Sequence, residues 1–135
     1  MTWYSVKQVP TAASATESEL YALGDAIKEA MFLRNVLTEL GIKHQTGTLV
    51  LEDNTAAIDI AGDPKHHARV KHMGIRLSLI REAVSEGIVR LEWCPTAHML
   101  ADLLTKALPQ ETFWRMLQSI GMRRLSQLSS TDVYP

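Results

Sequence analysis

The sequence predicts a single α/β domain, and three features of the chain indicate this fold class. Its 135 residues suffice for one domain with a core, and 46% of them are hydrophobic. Two short stretches have strand patterns, since residues 49–53 begin with an unbroken apolar run and residues 88–94 alternate. Stretches with apolar residues at helical spacing lie before, between and after these strands. With a strand at residues 3–6, the predicted order is strand, helix, strand, helix, helix, strand, helix, helix.

The composition argues against several classes of protein. No apolar run approaches the ~20 residues that a membrane span requires, and residues 1–7 lack the pattern of a signal peptide. A single cysteine, Cys94, leaves no internal disulfide framework and indicates a reducing compartment, the cytoplasm or the nucleus. The formal net charge is −1, so any contact with nucleic acid has to be local.

A long helix is predicted after the first strand. Ser14 and Thr16 can each begin it, because a glutamate follows each of them by three residues and can complete a capping box. Gly41 is the predicted end. The residues predicted on its buried face are Leu20, Leu23, Ile27, Ala30, Leu33, Leu37 and Leu40.

The strand at residues 49–53 organises the middle of the chain. Its run of Leu49, Val50 and Leu51 predicts a strand covered on both faces. A short helix to Ala61 follows, capped by an Asx or Thr side chain. Asp53 is thereby placed at the carboxyl end of a buried strand, where α/β proteins build their sites. Taken alone, this aspartate is more simply explained as a helix cap.

The C-terminal half begins with a basic segment, residues 65–72 (KHHARVKH), which overlaps the start of a helix ending at Gly87. Its histidines do not predict zinc, because no cysteine or acid lies at ligand spacing. The strand at residues 88–94 is predicted to place Val89, Leu91 and Trp93 on one side. Thr96 is predicted to cap a helix through Leu104, an amphipathic helix follows, and residues 122–135 form a disordered tail.

Three acids stand out by position, namely Glu19 at a helix start, Asp53 at a strand end and Asp102 in a strongly apolar helix. Helix capping explains Glu19 without any chemistry. An acid such as Asp102 is costly unless it faces solvent or a site. If the three carboxylates converged, their repulsion would require a hard divalent cation, Mg²⁺ or Mn²⁺.

Four motifs resemble the RNase H domain of copia-type retrotransposon polyproteins. They are residues 14–23 (SATESELYAL), residues 52–58 (EDNTAAI), residues 69–76 (RVKHMGIR) with 80–82 (IRE), and residues 95–96 (PT) leading to 101–106 (ADLLTK). The motifs occur in the family's order and cover the chain from about residue 3 to residue 121, and the predicted partial domain is residues 1–121.

The resemblance implies an RNase H-like mixed sheet with flanking helices, which cleaves the RNA strand of RNA/DNA hybrids with two metal ions. It implies that Glu19, Asp53 and Asp102 are catalytic residues and ligands of Mg²⁺ or Mn²⁺. The implied partners are an RNA/DNA hybrid and the reverse transcriptase domain of a parent polyprotein. The residues expected to contact the hybrid backbone are Lys71, His72 and Arg76.

The chain also departs from the family pattern. The family's first two strands, the first of which bears an aspartate that bridges both metals, have no counterpart here, so we expect a fragment with reduced activity. Gly74 stands where the family usually has an acid. His98 lies in the loop before Asp102, where related nucleases can place a mobile histidine, although surface histidines are commonplace.

Three hypotheses remain open from the sequence. The first is a retrotransposon RNase H fragment that acts in reverse transcription. The second is a non-catalytic module that binds nucleic acid or another partner. The third is the product of a degenerate element, which would show no cooperative unfolding.

Overall fold

The computed structural model describes residues 5–8, 12–63 and 73–123. The chain divides into two compact units, a larger one of Lys7–Pro95 and a smaller one of Met1–Val6 with Thr96–Pro135. The described residues form five α-helices and a two-stranded sheet, which confirms the α/β class. Within this described part of the chain, no helix is both long and apolar enough to cross a bilayer.

The first helix, α1, spans Ala15–Glu39, close to the predicted bounds. It begins at the predicted cap Ser14, whose side chain accepts a hydrogen bond of 3.2 Å from the Glu17 amide. It ends with the predicted glycine. Gly41 has a φ of 79°, which glycine adopts without steric strain, and its amide donates to the carbonyl of Thr38 at 2.9 Å.

Only the first half of α1 is buried as predicted. Leu20, Leu23 and Ile27 are in the core. The prediction is wrong for the second half, where exposed fractions are 36% for Leu33, 36% for Leu37 and 71% for Leu40. Helix length explains the difference, because 25 residues span about 37 Å, whereas the helices packed against α1 have 8 and 12 residues.

The sheet of the larger unit consists of β1, Thr48–Glu52, and β2, Val89–Trp93. The strands are parallel, with Thr48 opposite Val89 and Glu52 opposite Trp93. Two helices connect them, α2 (Thr55–Gly62) and α3 (Gly74–Ser85). This crossover is what a parallel pair requires, and it brings the carboxyl ends of both strands to one edge.

The helices pack on one face of this sheet. The buried cluster comprises Leu20, Leu23 and Ile27 of α1, Ala57 and Ala61 of α2, Met73, Leu77, Ile80 and Ala83 in and before α3, and Val89 of β2. Val50 and Leu91 pack against it. Arg81 of α3 also donates to the carbonyls of Ile60 and Asp63 at the end of α2, at 2.8 and 2.7 Å.

Two strand predictions are corrected by this arrangement. Leu49 and Leu51 are each 45% exposed, so β1 is covered on one face instead of two. The reason is the strand alternation, which points them away from the face that carries the buried cluster. In β2, Trp93 was predicted on the same side as Val89 and Leu91, and at the strand end it is 57% exposed. For the strand predicted at residues 3–6, residues 3–4 lie outside the described residues and residues 5–6 are not in a strand.

Arg76 of α3 reaches across α1. Its Nη1 donates to the Tyr21 carbonyl at 2.6 Å and to Asp25 Oδ1 at 2.7 Å, and its guanidinium lies 4.9 Å from the centre of the Tyr21 ring. Gly24 makes room for this side chain, because a Cβ there would lie 2.7 Å from Arg76 Cγ. The absence of a side chain at Gly24 thus permits a charged bridge between two helices.

The smaller unit contains short helices. A 3₁₀ helix spans Thr96–His98, α4 spans Asp102–Thr105 and α5 spans Gln110–Ser119. The single helix predicted from Thr96 is therefore wrong. The backbone between the two short helices makes hydrogen bonds of three-residue spacing, such as Asp102 N to Met99 O at 3.1 Å, which do not continue an α-helix. Of the predicted disordered tail, residues 124–135 lie outside the described residues.

The close approach of Gly24 and Arg76 predicts that Gly24→Ala changes the free energy of unfolding in opposite directions with and without the Arg76 side chain. In the wild-type background, Gly24→Ala should lower the free energy of unfolding by about 1 kcal/mol or more, because the new Cβ displaces the Arg76 stem. In an Arg76→Ala background the same substitution should raise it by up to about 1 kcal/mol through helix propensity. Urea denaturation of the four proteins measures both effects, and equal effects in the two backgrounds would refute the steric coupling.

Candidate metal centre

The candidate centre lies where β1 passes into α2. Glu52 is the last residue of β1, and Asn54 caps α2 by accepting a hydrogen bond of 3.2 Å from the Ala57 amide. The backbone amide of Asn54 in turn donates to Glu52 Oε1 at 3.0 Å. Asp53, which lies between them, is half-buried at the carboxyl end of the strand, as predicted. The predicted capping role belongs to Asn54, which leaves the Asp53 carboxylate available for another role.

Glu19 reaches the same place from α1. Its position near the start of α1 also suits the helix dipole, as the alternative explanation states, while the glutamate at the cap itself is Glu17. The Glu17 carboxylate accepts from the Ala13 amide at 2.8 Å. The start of α1 also meets the start of α2, since Asn54 Nδ2 lies 3.4 Å from Thr16 Oγ1. Two helix N-termini, which favour negative charge, therefore lie beside the acids.

One carboxylate oxygen from each of Glu19, Glu52 and Asp53 lies within 4.8 Å of the others. These three residues are the acidic cluster. Two oxygens on opposite sides of a Mg²⁺ ion are about 4.2 Å apart, given bond lengths of about 2.1 Å. Neighbouring oxygens on such an ion are about 3.0 Å apart, so side-chain movements of about 1 Å would bring the three oxygens onto one ion. The donors are carboxylates, the hard ligands that Mg²⁺ and Mn²⁺ prefer, so the residues fit such a cation.

The pKa of Glu52 reflects its burial within the cluster. Glu52 is 5% exposed, and burial raises its pKa from 4.5 to about 6, helped by the negative charges of Glu19 and Asp53 and opposed by the hydrogen bond from the Asn54 amide. A cation between the carboxylates would offset the repulsion from Glu19 and Asp53, which adds to the larger effect of burial. A divalent ion at the cluster would thus relieve part of an unfavourable charge arrangement.

The sequence prediction brought together two of the three residues and missed Glu52. A signal for it was available, because Glu52 is two residues beyond Val50 and strand alternation puts both on the inner face. The prediction that β1 is covered on both faces concealed this signal. Asp53 could be identified from the sequence because it immediately follows the strand.

Asp102, the third predicted ligand, lies in the smaller unit at the start of α4. It is 6% exposed, and its Oδ1 lies 2.8 Å from the Lys106 ammonium, one helical turn further on. This ion pair explains how an acid is tolerated in an apolar helix. His98, at the end of the 3₁₀ helix, is exposed.

Of the residues predicted to contact nucleic acid, Lys71 and His72 lie outside the described residues. Arg76 is described, and its guanidinium is held by Tyr21 and Asp25 in the bridge between α1 and α3. Its side chain is 22% exposed. A phosphate contact through Arg76 would have to share or replace the contact with Asp25.

Homologues of the chain are retrovirus-related Pol polyproteins from plant transposons. The polyprotein from transposon RE1 of Arabidopsis thaliana is 33% identical over 93% of this chain, and that from transposon TNT 1-94 of Nicotiana tabacum is 35% identical over 90%. The Gag-Pol polyprotein of transposon Ty1-DR5 from Saccharomyces cerevisiae is 27% identical over 81%. The chain spans only 8%, 9% and 6% of the lengths of these three relatives. No family profile matches the chain, and no solved structure matches it.

The raised pKa of Glu52 predicts a pH-dependent gain of stability in Glu52→Gln when metal is absent. The Glu52 carboxyl has a pKa of about 6 in the folded state, which is higher than in the unfolded state. The folded state therefore resists ionisation of this group, and wild-type stability falls as the pH rises from about 4.5 to about 6. The variant should match the wild type below pH ~4.5 and exceed it by about 1–2 kcal/mol at pH 8.

Urea denaturation in the presence of a chelator, at several pH values, measures this difference. Glu82→Gln, at an exposed position of α3, is the matched control. A Glu52→Gln variant that is less stable than the wild type at pH 8 would contradict the burial of an unfavourable charge.

Proposed function

We propose that the chain is the part of a retrotransposon Pol polyprotein that hydrolyses the RNA strand of RNA/DNA hybrids during reverse transcription. The observation that carries this proposal is the acidic cluster of Glu19, Glu52 and Asp53 at the carboxyl end of β1. Homology to transposon Pol polyproteins supports it. The proposed partners are therefore an RNA/DNA hybrid and the reverse transcriptase domain of the same polyprotein. The free, buried Cys94 suits the cytoplasm or nucleus.

The acidic cluster would hold Mg²⁺ or Mn²⁺. When bound, such an ion neutralises phosphate charge and lowers the pKa of a coordinated water. The chain's own contribution is placement, since the strand end fixes Glu52, the turn fixes Asp53 and α1 fixes Glu19. Without a cation the three carboxylates repel a phosphodiester, so the chain on its own disfavours substrate.

Asp102 is retained in this proposal as a further ligand. Its carboxylate is already paired with the Lys106 ammonium, and coordination would have to compete with that ion pair. The carboxyl group would gain a doubly charged partner in place of a singly charged one. Asp102 is therefore proposed to act only when the ion is present.

Metal binding can be tested separately from catalysis. The wild-type chain should bind Mn²⁺ in a calorimetric titration, and Asp53→Asn should weaken binding by at least about tenfold, because even residues behind the ligands change affinity by 10–100-fold. Asp59→Asn, on the exposed side of α2, is the control and should leave the affinity unchanged. Absence of Mn²⁺ binding by the wild type would overturn the proposed metal centre.

Asp102→Asn distinguishes a ligand from a purely structural acid. If Asp102 is a ligand, the variant should bind Mn²⁺ at least several-fold more weakly than Lys106→Met, which breaks the same ion pair but keeps the carboxylate. Equal Mn²⁺ affinity in both variants would remove Asp102 from the proposal and leave the acidic cluster intact.

Cleavage is tested with an RNA/DNA hybrid that carries a label on the RNA strand, in Mg²⁺ or Mn²⁺. We expect the RNA strand to be cut, and Asp53→Asn to be at least about 100-fold slower because a misplaced ion misplaces the reacting groups. Equal cutting in this variant would indicate a contaminating nuclease. Metal-dependent binding of the hybrid without cutting would instead assign the chain to the non-catalytic binding class.

A further inference from the structure

Thr16 does not cap α1, although the sequence offers it as a cap. The cap is Ser14, whose side chain accepts from the Glu17 amide. Thr16 is instead the second residue of α1, and its half-buried side chain accepts a hydrogen bond of 3.4 Å from Asn54 Nδ2. The hydroxyl of Thr16 is therefore directed at a different element, the turn between β1 and α2.

Asn54 makes three contacts at this turn, each through a different group. Its side-chain oxygen accepts from the Ala57 amide at 3.2 Å, and its backbone amide donates to Glu52 Oε1 at 3.0 Å. Because Oδ1 has to accept the hydrogen bond at the start of α2, the side-chain NH₂ group is directed toward Thr16. One residue therefore joins the start of α1, the start of α2 and a carboxylate of the acidic cluster.

Helix geometry places Thr16 and Glu19 on one face of α1. Residues three apart are neighbours on a helix surface. This face points at the turn, because Thr16 contacts Asn54 and Glu19 lies close to Asp53. The hydrogen bond is thus made about one helical turn from Glu19 and one residue from Asp53. It bears directly on the distance between two carboxylates that belong to different elements.

We propose that the Thr16–Asn54 hydrogen bond positions Glu19 against Glu52 and Asp53 so that the three carboxylates share one divalent cation. This inference rests on the proposed function and adds two positioning residues to it. The carboxylates repel one another when no cation is bound. A bond between a hydroxyl and an amide holds the two elements together against this repulsion, and it carries no charge that would compete with the ion.

The length of the hydrogen bond is consistent with this role. At 3.4 Å it is slightly longer than the usual range for a nitrogen donor and an oxygen acceptor. Closure of the acidic cluster on an ion requires movements of about 1 Å. A shift of the helix start that carries Glu19 toward Asp53 also carries Thr16 toward Asn54, because both side chains lie on the same face of α1. Ion binding should therefore strengthen the hydrogen bond.

A purely structural role makes a different prediction. If the hydrogen bond only stabilises the packing of α1 on α2, its loss lowers the free energy of unfolding but leaves the Mn²⁺ affinity of the folded protein unchanged. If it positions Glu19, its loss weakens Mn²⁺ binding even where every molecule is folded. Mn²⁺ affinity, measured well below the unfolding transition, distinguishes these two roles.

Two substitutions remove the hydrogen bond from either side. Thr16→Val replaces the hydroxyl by a methyl group of similar size, and Asn54→Ser keeps a good helix cap and the backbone amide but lacks the NH₂ group. Each should weaken Mn²⁺ binding in a calorimetric titration by about tenfold, the lower end of the range for groups that orient ligands from behind. The double variant should bind as weakly as either single variant, because both substitutions remove the same contact.

Two further variants serve as controls. Thr16→Ser keeps the hydroxyl and should retain the wild-type affinity. Thr38→Val is the same substitution in the same helix, at a hydroxyl that donates to the Arg34 carbonyl, and it should leave the affinity unchanged. Urea denaturation shows whether each variant is folded. Wild-type Mn²⁺ affinity in Thr16→Val, or additive effects of the two substitutions, would overturn the positioning role.

The positioning role and the nuclease function fail in different ways. If the wild type binds Mn²⁺ and cuts the hybrid and Thr16→Val does so equally well, the positioning role is wrong and the nuclease function stands. If both single substitutions weaken Mn²⁺ binding without adding up but no strand is cut by the wild type, the positioning role stands and the nuclease function is wrong. A wild-type chain that binds no Mn²⁺ overturns both.

Discussion

The parallel pairing of β1 with β2 determines where the acids at the carboxyl end of β1 lie. Because both strands run in the same direction, their carboxyl ends emerge at one edge, with Glu52 opposite Trp93. The turn into α2 follows at once and is held by the Asn54 cap and by the hydrogen bond from its amide to Glu52. A shift of register by one residue would move Glu52 to the opposite face of the strand and dismantle the acidic cluster.

Local signals in the sequence predicted much of this arrangement, and long-range packing decided the rest. The cap at Ser14, the glycine that ends α1 and the cap of α2 depend on a few adjacent residues, and all were predicted. The exposure of Leu33 or Leu51 depends on what other elements cover, which spacing within one element does not reveal. Glu52 was missed for the same reason, because its role depends on which face of β1 is buried.

In the proposed metal centre, the acidic cluster loses stability in the absence of a cation. Burial of Glu52 raises its pKa, so at neutral pH the folded state contains a buried negative charge that is energetically unfavourable. Hydrogen bonds from the turn and the neighbouring helix N-termini limit this penalty without removing it. Buried, mutually repelling carboxylates are a common cost of sites that are built before the ligand arrives. Asp102 represents the opposite solution, since Lys106 neutralises it within one helical turn.

The uneven burial of α1 has a consequence for its dynamics. Its first half is anchored by core residues such as Leu20 and Ile27, whereas Phe32 and Leu40 are 60% and 71% exposed. Ala30 and Met31 still pack against the core, and Arg34 donates to the Thr46 carbonyl and to Thr48 Oγ1. Backbone amides beyond Arg34 depend mainly on the helix itself and on the glycine motif at its end, so brief local openings suffice to expose them. Amide-hydrogen exchange should therefore divide this continuous helix into a slow segment and a fast segment, with the change falling after Arg34.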